Sequence, residues 1–330
     1  MTSPRPSLPP ARTPPAPDGS DTATVGLAAV VVAVSEDEPK VLAIRGDGED
    51  ALPSGPLEPQ HRTLEAGLRA WVEKQTSQKL GYVEQLYTFG DRNRQPDSVA
   101  RPLSIGYLAL VREARPAGSR DAEWRDWYRY FPWEDWRGGR PAIVADIEQA
   151  LSRWAAAATG AEERRLRQAR AQLSFGYGGA PWNDERVLER YELLYEVGVV
   201  PEAHRDGAKV WATPSEVIAG AEAMVADHRR ILATAVARLR GKIKYRPVVF
   251  EVMPPEFTLS KLQRTVEALA GLRLHAPNFR RLVETQGLVE ETGAVSSGTG
   301  GRPARLVRFR REVLIERPAP GVRLPVSRRI

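Results

Sequence analysis

The chain has 330 residues, a formal net charge of +6 and no cysteine. The lack of cysteine excludes disulfide bonds, thiolate zinc sites and thiol nucleophiles. No segment approaches the roughly 18 apolar residues that a membrane helix needs, and no apolar signal segment follows Met1. The sequence therefore predicts a soluble, cytoplasmic protein with no membrane contact.

The first half predicts a disordered arm followed by a mixed α/β domain. Residues 1–20 contain seven prolines, which is typical of a disordered arm. Residues 24–34 are β-branched and apolar, and an acidic turn separates them from a second strand pattern at 40–45, which predicts a hairpin. The remaining predicted elements of this domain, expected over 21–158, are a helix, two strands and a last helix: 63–75, 82–89, 103–111 and 142–158.

Residues 159–240 predict a helical connector. Charged helical patterns occur at 162–173 and 184–197, and apolar residues recur at helical spacing over 214–240. A helix that long between two domains suggests a spine or a dimer element. A core helix within one domain explains the pattern equally well.

The positive charge is concentrated in the last ninety residues. Residues 241–330 contain 17 Lys and Arg against 8 Asp and Glu, so residues 1–240 sum to −3. Within this segment Thr258 can cap a helix over 259–270, and Pro277 begins a second helix that ends by Gly287. Two strand patterns, at 288–292 and 304–309, flank the glycine-rich loop 293–303. This order is typical of a winged helix-turn-helix domain, expected over 241–330.

A basic winged helix predicts double-stranded DNA as the partner. Its second helix can enter the major groove, where Arg reads guanine and Asn reads adenine, and its wing can contact phosphates. The alternative is a solvated basic face on an ordinary small domain. For Lys242 and Lys244, a solvated charge pair in a linker explains the sequence equally well. The expected DNA contacts are Asn278, Arg280, Arg281, Arg302, Lys242, Lys244 and Thr258.

The front domain carries part of a Nudix box. Gly55 and Arg69 keep the box spacing, and Glu73 falls on a box glutamate. The other patterned positions differ, with His61, Ala70, Lys74, Thr76 and Ser77 in place of three glutamates, a glycine and an aliphatic residue. The domain thus resembles a degenerate Nudix hydrolase. Since one carboxylate cannot hold Mg²⁺ against a pyrophosphate, we expect no catalytic residues, no metal and ligand binding without turnover.

The C-terminal half carries a series of short motifs, at 241–245, Pro254, 257–259, 278–281 and 301–304. Through them it resembles the winged-helix half of the Nudix-related transcriptional regulators, the NrtR type, and residues 184–195 look closer to the NadQ branch. The resemblance spans about 24–315. It implies an α+β chain: a Nudix-like α/β/α sandwich, a helical linker and a winged helix. It also implies a homodimeric repressor of NAD biosynthesis genes that needs no cofactor and is controlled by an adenine nucleotide, with ATP favoured over ADP-ribose and NAD.

The ligand pocket is expected where a Nudix fold would place it. Arg69 is expected to be a scaffold residue, as the box arginine usually is. The four histidines show no metal-ligand spacing. The expected ligand contacts are Arg45, Arg62, Arg92, Arg94, Lys74 and Tyr107.

Two other functions remain open from the sequence. An active Nudix pyrophosphatase on ADP-ribose-type substrates, with an accessory basic domain, would need other glutamates such as Glu65 and Glu73 to hold the metal. An RNA-binding interaction protein would need an exposed aromatic platform, which the basic segment lacks.

Overall fold

The computed structural model describes residues 24–46, 48–90, 102–112, 121–296, 303–316 and 321–322. The proline-rich arm and three predicted contacts, Arg92, Arg94 and Arg302, lie outside the described residues. None of the helices in the described part of the chain combines the length and apolar character that crossing a bilayer requires.

A seven-stranded mixed sheet forms the front of the molecule. Its strand order is β3-β2-β1-β6-β5, with β4 paired to β1 and β7 paired to β2. Strands β1 and β6 run parallel, and the other pairs are antiparallel. The strands are β1 (Thr24–Ser35), β2 (Glu38–Arg45), β3 (Asp50–Ala51), β4 (Ser54–Pro56), β5 (Tyr82–Phe89), β6 (Pro102–Leu110) and β7 (Ala122–Asp126).

Strand β1 is buried on both faces, which makes this domain a sandwich. Leu27 and Val31 pack on one face against helix α1 (Leu64–Thr76), together with Leu68 of that helix. Val30 and Val32 pack on the other face, in the larger core that includes helix α6 (His228–Tyr245). The strand and helix patterns predicted for the front domain are confirmed, as is its mixed α/β class.

The β1–β2 hairpin turns through only two residues. Ser35 pairs with Glu38, and both Glu36 and Asp37 have positive φ angles, 53° and 61°. This is the backbone of a type I′ turn, whose twist matches that of the two strands. Both turn residues therefore occupy the left-handed region, which L-residues rarely adopt.

Four helices follow strand β7 in the chain and precede helix α6. They are α2 (Ile143–Ala156), α3 (Ala161–Phe175), α4 (Val187–Val197) and α5 (Pro201–Arg205). Helices α2, α3 and α4 confirm the helical patterns at 142–158, 162–173 and 184–197.

The predicted helix over 214–240 is wrong in its first half. Helix α6 begins only at His228, after a single 3-10 turn at Pro214–Glu216 and an irregular segment. Gly220 and Ala226 have positive φ angles there, and the Val225 N–H donates to the Asp50 carbonyl at 3.1 Å. Met224 of this segment is buried and forms a bridge with Asp50 at the edge of the sheet, whereas Val217, Ala221 and Val225 are only half-buried. Helix α6 also continues to Tyr245, across the expected boundary at residue 240.

The first residue of helix α6 makes stability depend on pH. The Leu52 N–H donates to Nδ1 of His228 at 3.0 Å. Burial, with a contribution from Arg205, lowers the pKa of His228 to about 4. Because the folded pKa lies below the unfolded value, the stabilisation is complete above the ordinary pKa of about 6.5 and is lost as the pH falls from there towards 4.

We therefore expect the free energy of unfolding to drop by up to about 3 kcal/mol between pH 6.5 and pH 4 because of this residue. In His228→Asn, which keeps a hydrogen-bond acceptor, the free energy of unfolding measured with urea should not show this drop between pH 6.5 and pH 4. The exposed His275 supplies the control, since His275→Asn should keep it. Identical pH profiles for wild type and His228→Asn would contradict the prediction.

The C-terminal elements form a winged helix, as predicted. They are α7 (Leu259–Ala270), α8 (Ala276–Thr285), β8 (Val289–Val295), β9 (Arg305–Phe309) and a short helix α9 (Val313–Glu316). Thr258 caps α7 by accepting from the Lys261 N–H at 3.1 Å, and Gly271 ends that helix with φ of 70°. A side chain at Gly271 would collide with the Glu134 carbonyl oxygen, 2.3 Å from an added Cβ, so this glycine also allows the winged helix to approach the front domain closely.

One buried carboxylate joins three parts of the chain. Glu134 accepts from Nε and Nη2 of Arg190 on α4, at 2.5 and 2.8 Å, and from Nη1 of Arg240 on α6, at 2.6 Å. Nε of Arg240 also donates to the Leu269 carbonyl in the winged helix, at 3.0 Å. Each of these three charged side chains is at most 1% exposed. The winged helix is therefore fixed to the front domain by charged groups as well as by apolar packing.

Candidate nucleic-acid interface and sensor pocket

Helix α8 presents a polar face to solvent. Phe279 and Val283 are buried against the domain, whereas Asn278, Arg280 and Arg281 are exposed, as predicted from the helical spacing. Nη2 of Arg281 donates to Oδ1 of Asn278 at 3.4 Å, so the two groups sit side by side. Nη2 of Arg280 donates to the hydroxyl of Ser260 on α7 at 3.2 Å. Guanidinium and amide groups held together on one helix face have the chemistry to contact base edges in a major groove.

The wing is less positive than its arginines suggest. Arg305 pairs with Glu291 and Arg308 pairs with Glu290, each at 2.6 Å, and all four side chains are exposed. The sequence analysis missed these carboxylates, although the antiparallel register that places Glu290 opposite Arg308 follows from the predicted hairpin. A phosphate that contacts either arginine must compete with a glutamate.

Removing these carboxylates should strengthen binding to any duplex. The double variant Glu290→Gln/Glu291→Gln keeps the side-chain shapes and frees Arg305 and Arg308 from their carboxylates. We therefore expect a steeper dependence of the DNA-binding constant on salt concentration, equivalent to about one to two additional phosphate contacts. Fluorescence anisotropy over a range of salt concentrations measures this slope. The matched double variant Glu162→Gln/Glu163→Gln on α3 makes the same charge change outside the winged helix and should leave the slope unchanged; equal slopes for both variants would contradict the prediction.

Lys242 and Lys244 are not the exposed phosphate clamps that the sequence suggested. Both lie in the last turn of α6, and each ammonium group is bound to a carboxylate. Lys242 donates to the hydroxyl of Tyr82 at 2.9 Å and pairs with Glu84. Burial opposes the charges of this pair, but the pairing outweighs it, so the pKa of Lys242 is raised and that of Glu84 lowered.

Lys244 is held in the same manner. Its Nζ lies 2.9 Å from Oδ1 of Asp184 and 2.7 Å from Oε1 of Glu185, at the start of the segment that leads into α4. Both lysines therefore tie α6 to neighbouring elements. The solvated linker pair is also wrong, because this segment is helical and the two side chains are only about 15% exposed.

The loop and helix of the Nudix-like box are closed by uncharged side chains. Trp71 covers Gly55, where an added Cβ would lie 2.3 Å from the indole ring, and its Nε1 donates to the Pro56 carbonyl at 2.8 Å. Gln75 makes two hydrogen bonds with the backbone of Ser54, at 3.0 and 2.8 Å. Nδ1 of His61 accepts from the Glu58 N–H at 3.1 Å. These contacts hold the box loop in place.

The charged residues of the box are arranged as a scaffold and an exposed cation. Arg69 donates to the Gly81 carbonyl at 3.0 Å and pairs with Glu65 at 2.8 Å, so it is a scaffold residue, as expected. Lys74 is exposed and lies over the Trp71 ring, with Nζ 4.7 Å from the ring centre. Within the described ranges, no three carboxylate or imidazole groups come close enough together to hold a metal ion.

The structure does not gather the other predicted ligand residues into one cluster. Arg45, at the end of β2, is 70% exposed and lies 3.8 Å from Glu123. Arg62 is exposed just before α1. Tyr107 is 4% exposed between the sheet and α1, and its hydroxyl donates to Oε1 of Gln85 at 3.4 Å. Tyr107 is thus a core residue, and no aromatic ring stacking surface is available from it.

Comparison with known proteins supports the winged helix directly. Residues 249–309 match the model of the NrtR DNA-binding winged helix domain. This part of the C-terminal domain is thus similar to the DNA-binding winged helices of NrtR proteins. A curated relative, the ADPR responsive transcriptional repressor NtrR of Acinetobacter baylyi, is 43% identical over 83 residues, which is 25% of this chain. The matched segment spans 33% of that relative.

The described part of the chain has the fold of NrtR, a Nudix-like domain followed by a winged helix. Shewanella oneidensis NrtR superposes with a TM-score of 0.51 and 19% identity, over 88% of this chain and 95% of that one. The same protein complexed with a 27mer DNA gives 0.52 and 18%, over 88% and 94%. A MutT/nudix family protein from Enterococcus faecalis gives 0.51 and 16%, over 90% and 89%. At these identities the likeness establishes the fold.

Proposed function

We propose that this protein is a DNA-binding transcriptional repressor whose affinity for operator DNA responds to an adenine nucleotide. The observation that carries the proposal is the exposed face of Asn278, Arg280 and Arg281 on the second helix of an NrtR winged helix. The complex of Shewanella NrtR with a 27mer DNA supports the choice of DNA as the partner.

The effector is proposed to be ADP-ribose. The sequence resemblance favoured ATP, but the Acinetobacter relative is named as ADPR responsive. We place the ligand on the Nudix-like domain, with the exposed cations Arg45, Arg62 and Lys74 as candidate phosphate contacts. The target genes are proposed to be those of NAD biosynthesis, and the protein is proposed to act in the cytoplasm. The active form is proposed to be a homodimer, because a single winged helix covers only one half-site.

The Nudix-like domain is proposed to bind its ligand without cleaving it. Hydrolysis of a pyrophosphate needs several carboxylates around Mg²⁺. Here Trp71 and Lys74 stand on the helix face where box residues would act, and Glu65 is engaged by Arg69. Lys74 supplies a positive charge that can hold a phosphate in place of a metal.

The test starts from an operator selected from a random duplex library with the purified chain. We expect a sequence with two-fold symmetry, bound more weakly or more tightly when ADP-ribose is added and less affected by ATP or NAD. The same samples, incubated with Mg²⁺ and analysed by chromatography, should contain no AMP released from ADP-ribose. Failure to select any duplex would overturn the repressor, and rapid AMP release would support the pyrophosphatase.

A further inference from the structure

Helix α8, the second helix of the winged helix, carries an acidic side chain among its exposed residues. Glu284 is exposed, as are Arg280 and Arg281. Because DNA phosphates repel a carboxylate, Glu284 cannot add to the charge attraction that draws a basic domain to a duplex. Its presence on this face of the helix needs another explanation.

The geometry of α8 points Glu284 away from the body of the domain. Phe279 and Val283 are buried and mark the inner side of the helix. Since successive residues of an α-helix are turned by about 100°, Glu284 is turned by about 120° from the middle of that side, and Arg280 by only about 80°. Arg281 lies directly opposite the inner side. A groove that receives Arg281 therefore also receives Glu284.

The neighbouring arginines of α8 do not neutralise Glu284. Arg281 and Arg280 precede it by three and four residues, the spacing at which ion pairs form on a helix. Arg280 instead donates to the hydroxyl of Ser260 at 3.2 Å, and Arg281 donates to Oδ1 of Asn278 at 3.4 Å. In the described part of the chain, neither arginine pairs with the Glu284 carboxylate, which is left as an acceptor on the outer face.

Glu284 also opposes the helix that carries it. Helix α8 ends at Thr285, so Glu284 lies in its last turn. The negative end of the helix dipole is located there, and it disfavours a carboxylate. A side chain that weakens its own helix and repels phosphates breaks two local rules, and such residues are expected at functional positions.

We propose that Glu284 reads a cytosine in the major groove of the operator, with a carboxylate oxygen accepting a hydrogen bond from the N4 amino group. Carboxylates pair with cytosine in this way, as arginine pairs with guanine. Arg281 and Glu284 are about 4.5 Å apart along the helix axis, and stacked base pairs are about 3.4 Å apart. The half-site should therefore contain this cytosine within about two base pairs of the guanine that Arg281 reads. The inference rests on the proposed function and adds a base-reading residue to it.

The test uses Glu284→Gln, which keeps the shape of the side chain and removes its charge. The affinity of the variant for the operator selected with the wild-type chain should fall about tenfold, because the carboxylate acceptor is lost. Its affinity for scrambled duplexes should rise about two- to threefold, because a charge that repels phosphates is gone. Anisotropy titrations at fixed salt measure both affinities. A carboxylate that only repels DNA would give a rise with both duplexes.

The base itself is tested with a changed operator. Thymine presents an acceptor where cytosine presents its amino group. Replacing the cytosine with thymine should weaken the wild-type chain about tenfold, whereas Glu284→Gln should bind the two operators within about threefold of each other. Selection from a random duplex library with Glu284→Gln should enrich adenine at this position, since a glutamine amide pairs with adenine, and should leave the other positions unchanged.

Glu251→Gln is the matched control. Glu251 is exposed on the 3-10 turn at Val248–Val252, so the variant makes the same charge change within the winged helix domain but outside α8. The ratio of its operator and scrambled affinities should stay within about twofold of wild type. The melting temperature of Glu284→Gln should equal or exceed that of wild type, because the removed charge opposes the helix dipole. Its loss of operator affinity then cannot come from misfolding.

Three results would overturn the inference: a rise of operator affinity in Glu284→Gln, an equal change of the affinity ratio in Glu251→Gln, or a selected half-site with the same base preferences for wild type and Glu284→Gln. Failure of the wild-type chain to select any duplex would overturn the repressor itself. An operator that is selected but does not respond to Glu284→Gln would leave the repressor standing, so the two proposals fail separately.

Discussion

Replacing Glu134 with alanine should destabilise the protein by about 3–5 kcal/mol, because it leaves buried guanidinium groups without their carboxylate. Arg190 and Arg240 would keep backbone carbonyls, the Tyr128 hydroxyl and, for Arg190, the face of the Trp182 ring as partners, but no carboxylate at hydrogen-bond distance among the described residues. Urea unfolding followed by circular dichroism measures the loss. Glu134→Gln keeps the shape of the side chain and should cost less than the alanine variant.

An exposed ion pair supplies the control for this prediction. Arg129 and Glu222 are joined at 2.5 Å, and each is about 45% exposed. Since exposed pairs contribute about 0–1 kcal/mol, Glu222→Ala should change the free energy of unfolding by less than about 1 kcal/mol. Similar losses in Glu134→Ala and Glu222→Ala would show that burial does not decide the cost here.

Removing Arg281 should lower affinity for the selected operator by about 10- to 100-fold, the range expected for one arginine that reads a base. Binding to unrelated duplexes should fall much less, because that binding depends on phosphate contacts. The neighbouring Asn278 is expected to behave in the same way. Anisotropy titrations at fixed salt, with operator and scrambled duplexes, give both affinities.

The control for Arg281→Ala is another exposed arginine in a different part of the chain. Arg165 lies on α3, and Arg165→Ala makes the same charge change. It should leave both affinities within about twofold of wild type. If Arg281→Ala weakens operator and scrambled duplex equally, the residue contacts phosphate and does not read sequence.

The winged helix could be predicted from the sequence because its signals are local. Thr258 and Gly271 mark the ends of α7, and the apolar spacing of α8 leaves Asn278, Arg280 and Arg281 exposed. The start of helix α6 was wrong because apolar residues also recur at helical spacing in the irregular segment before it, whose backbone bonds to the sheet edge at Asp50. Met224 forms an isolated bridge with Asp50, a partner more than 170 residues earlier, which no local pattern reveals.

The buried network of Glu134, Arg190 and Arg240 could not be predicted either, because its members are far apart in the sequence. Glu134 meets Arg190 and Arg240 across 56 and 106 residues. Lys242 and Lys244 follow a basic pattern in the sequence, but acidic partners from β5 and from the segment before α4 occupy them. Which arginines and lysines remain available to a ligand depends on tertiary pairing, so sequence patterns give the domain type better than its contact residues.

Helix α6 runs without a break from His228, beneath the sheet, to Tyr245 at the base of the winged helix. Because Arg240 of this helix also donates to the Leu269 carbonyl of α7, the winged helix is bonded to α6 directly and is not held by the connecting segment alone. In the proposed repressor, ligand control would therefore act by displacing packed surfaces against one another, and small shifts between the two domains would change the spacing of the two recognition helices in the proposed dimer.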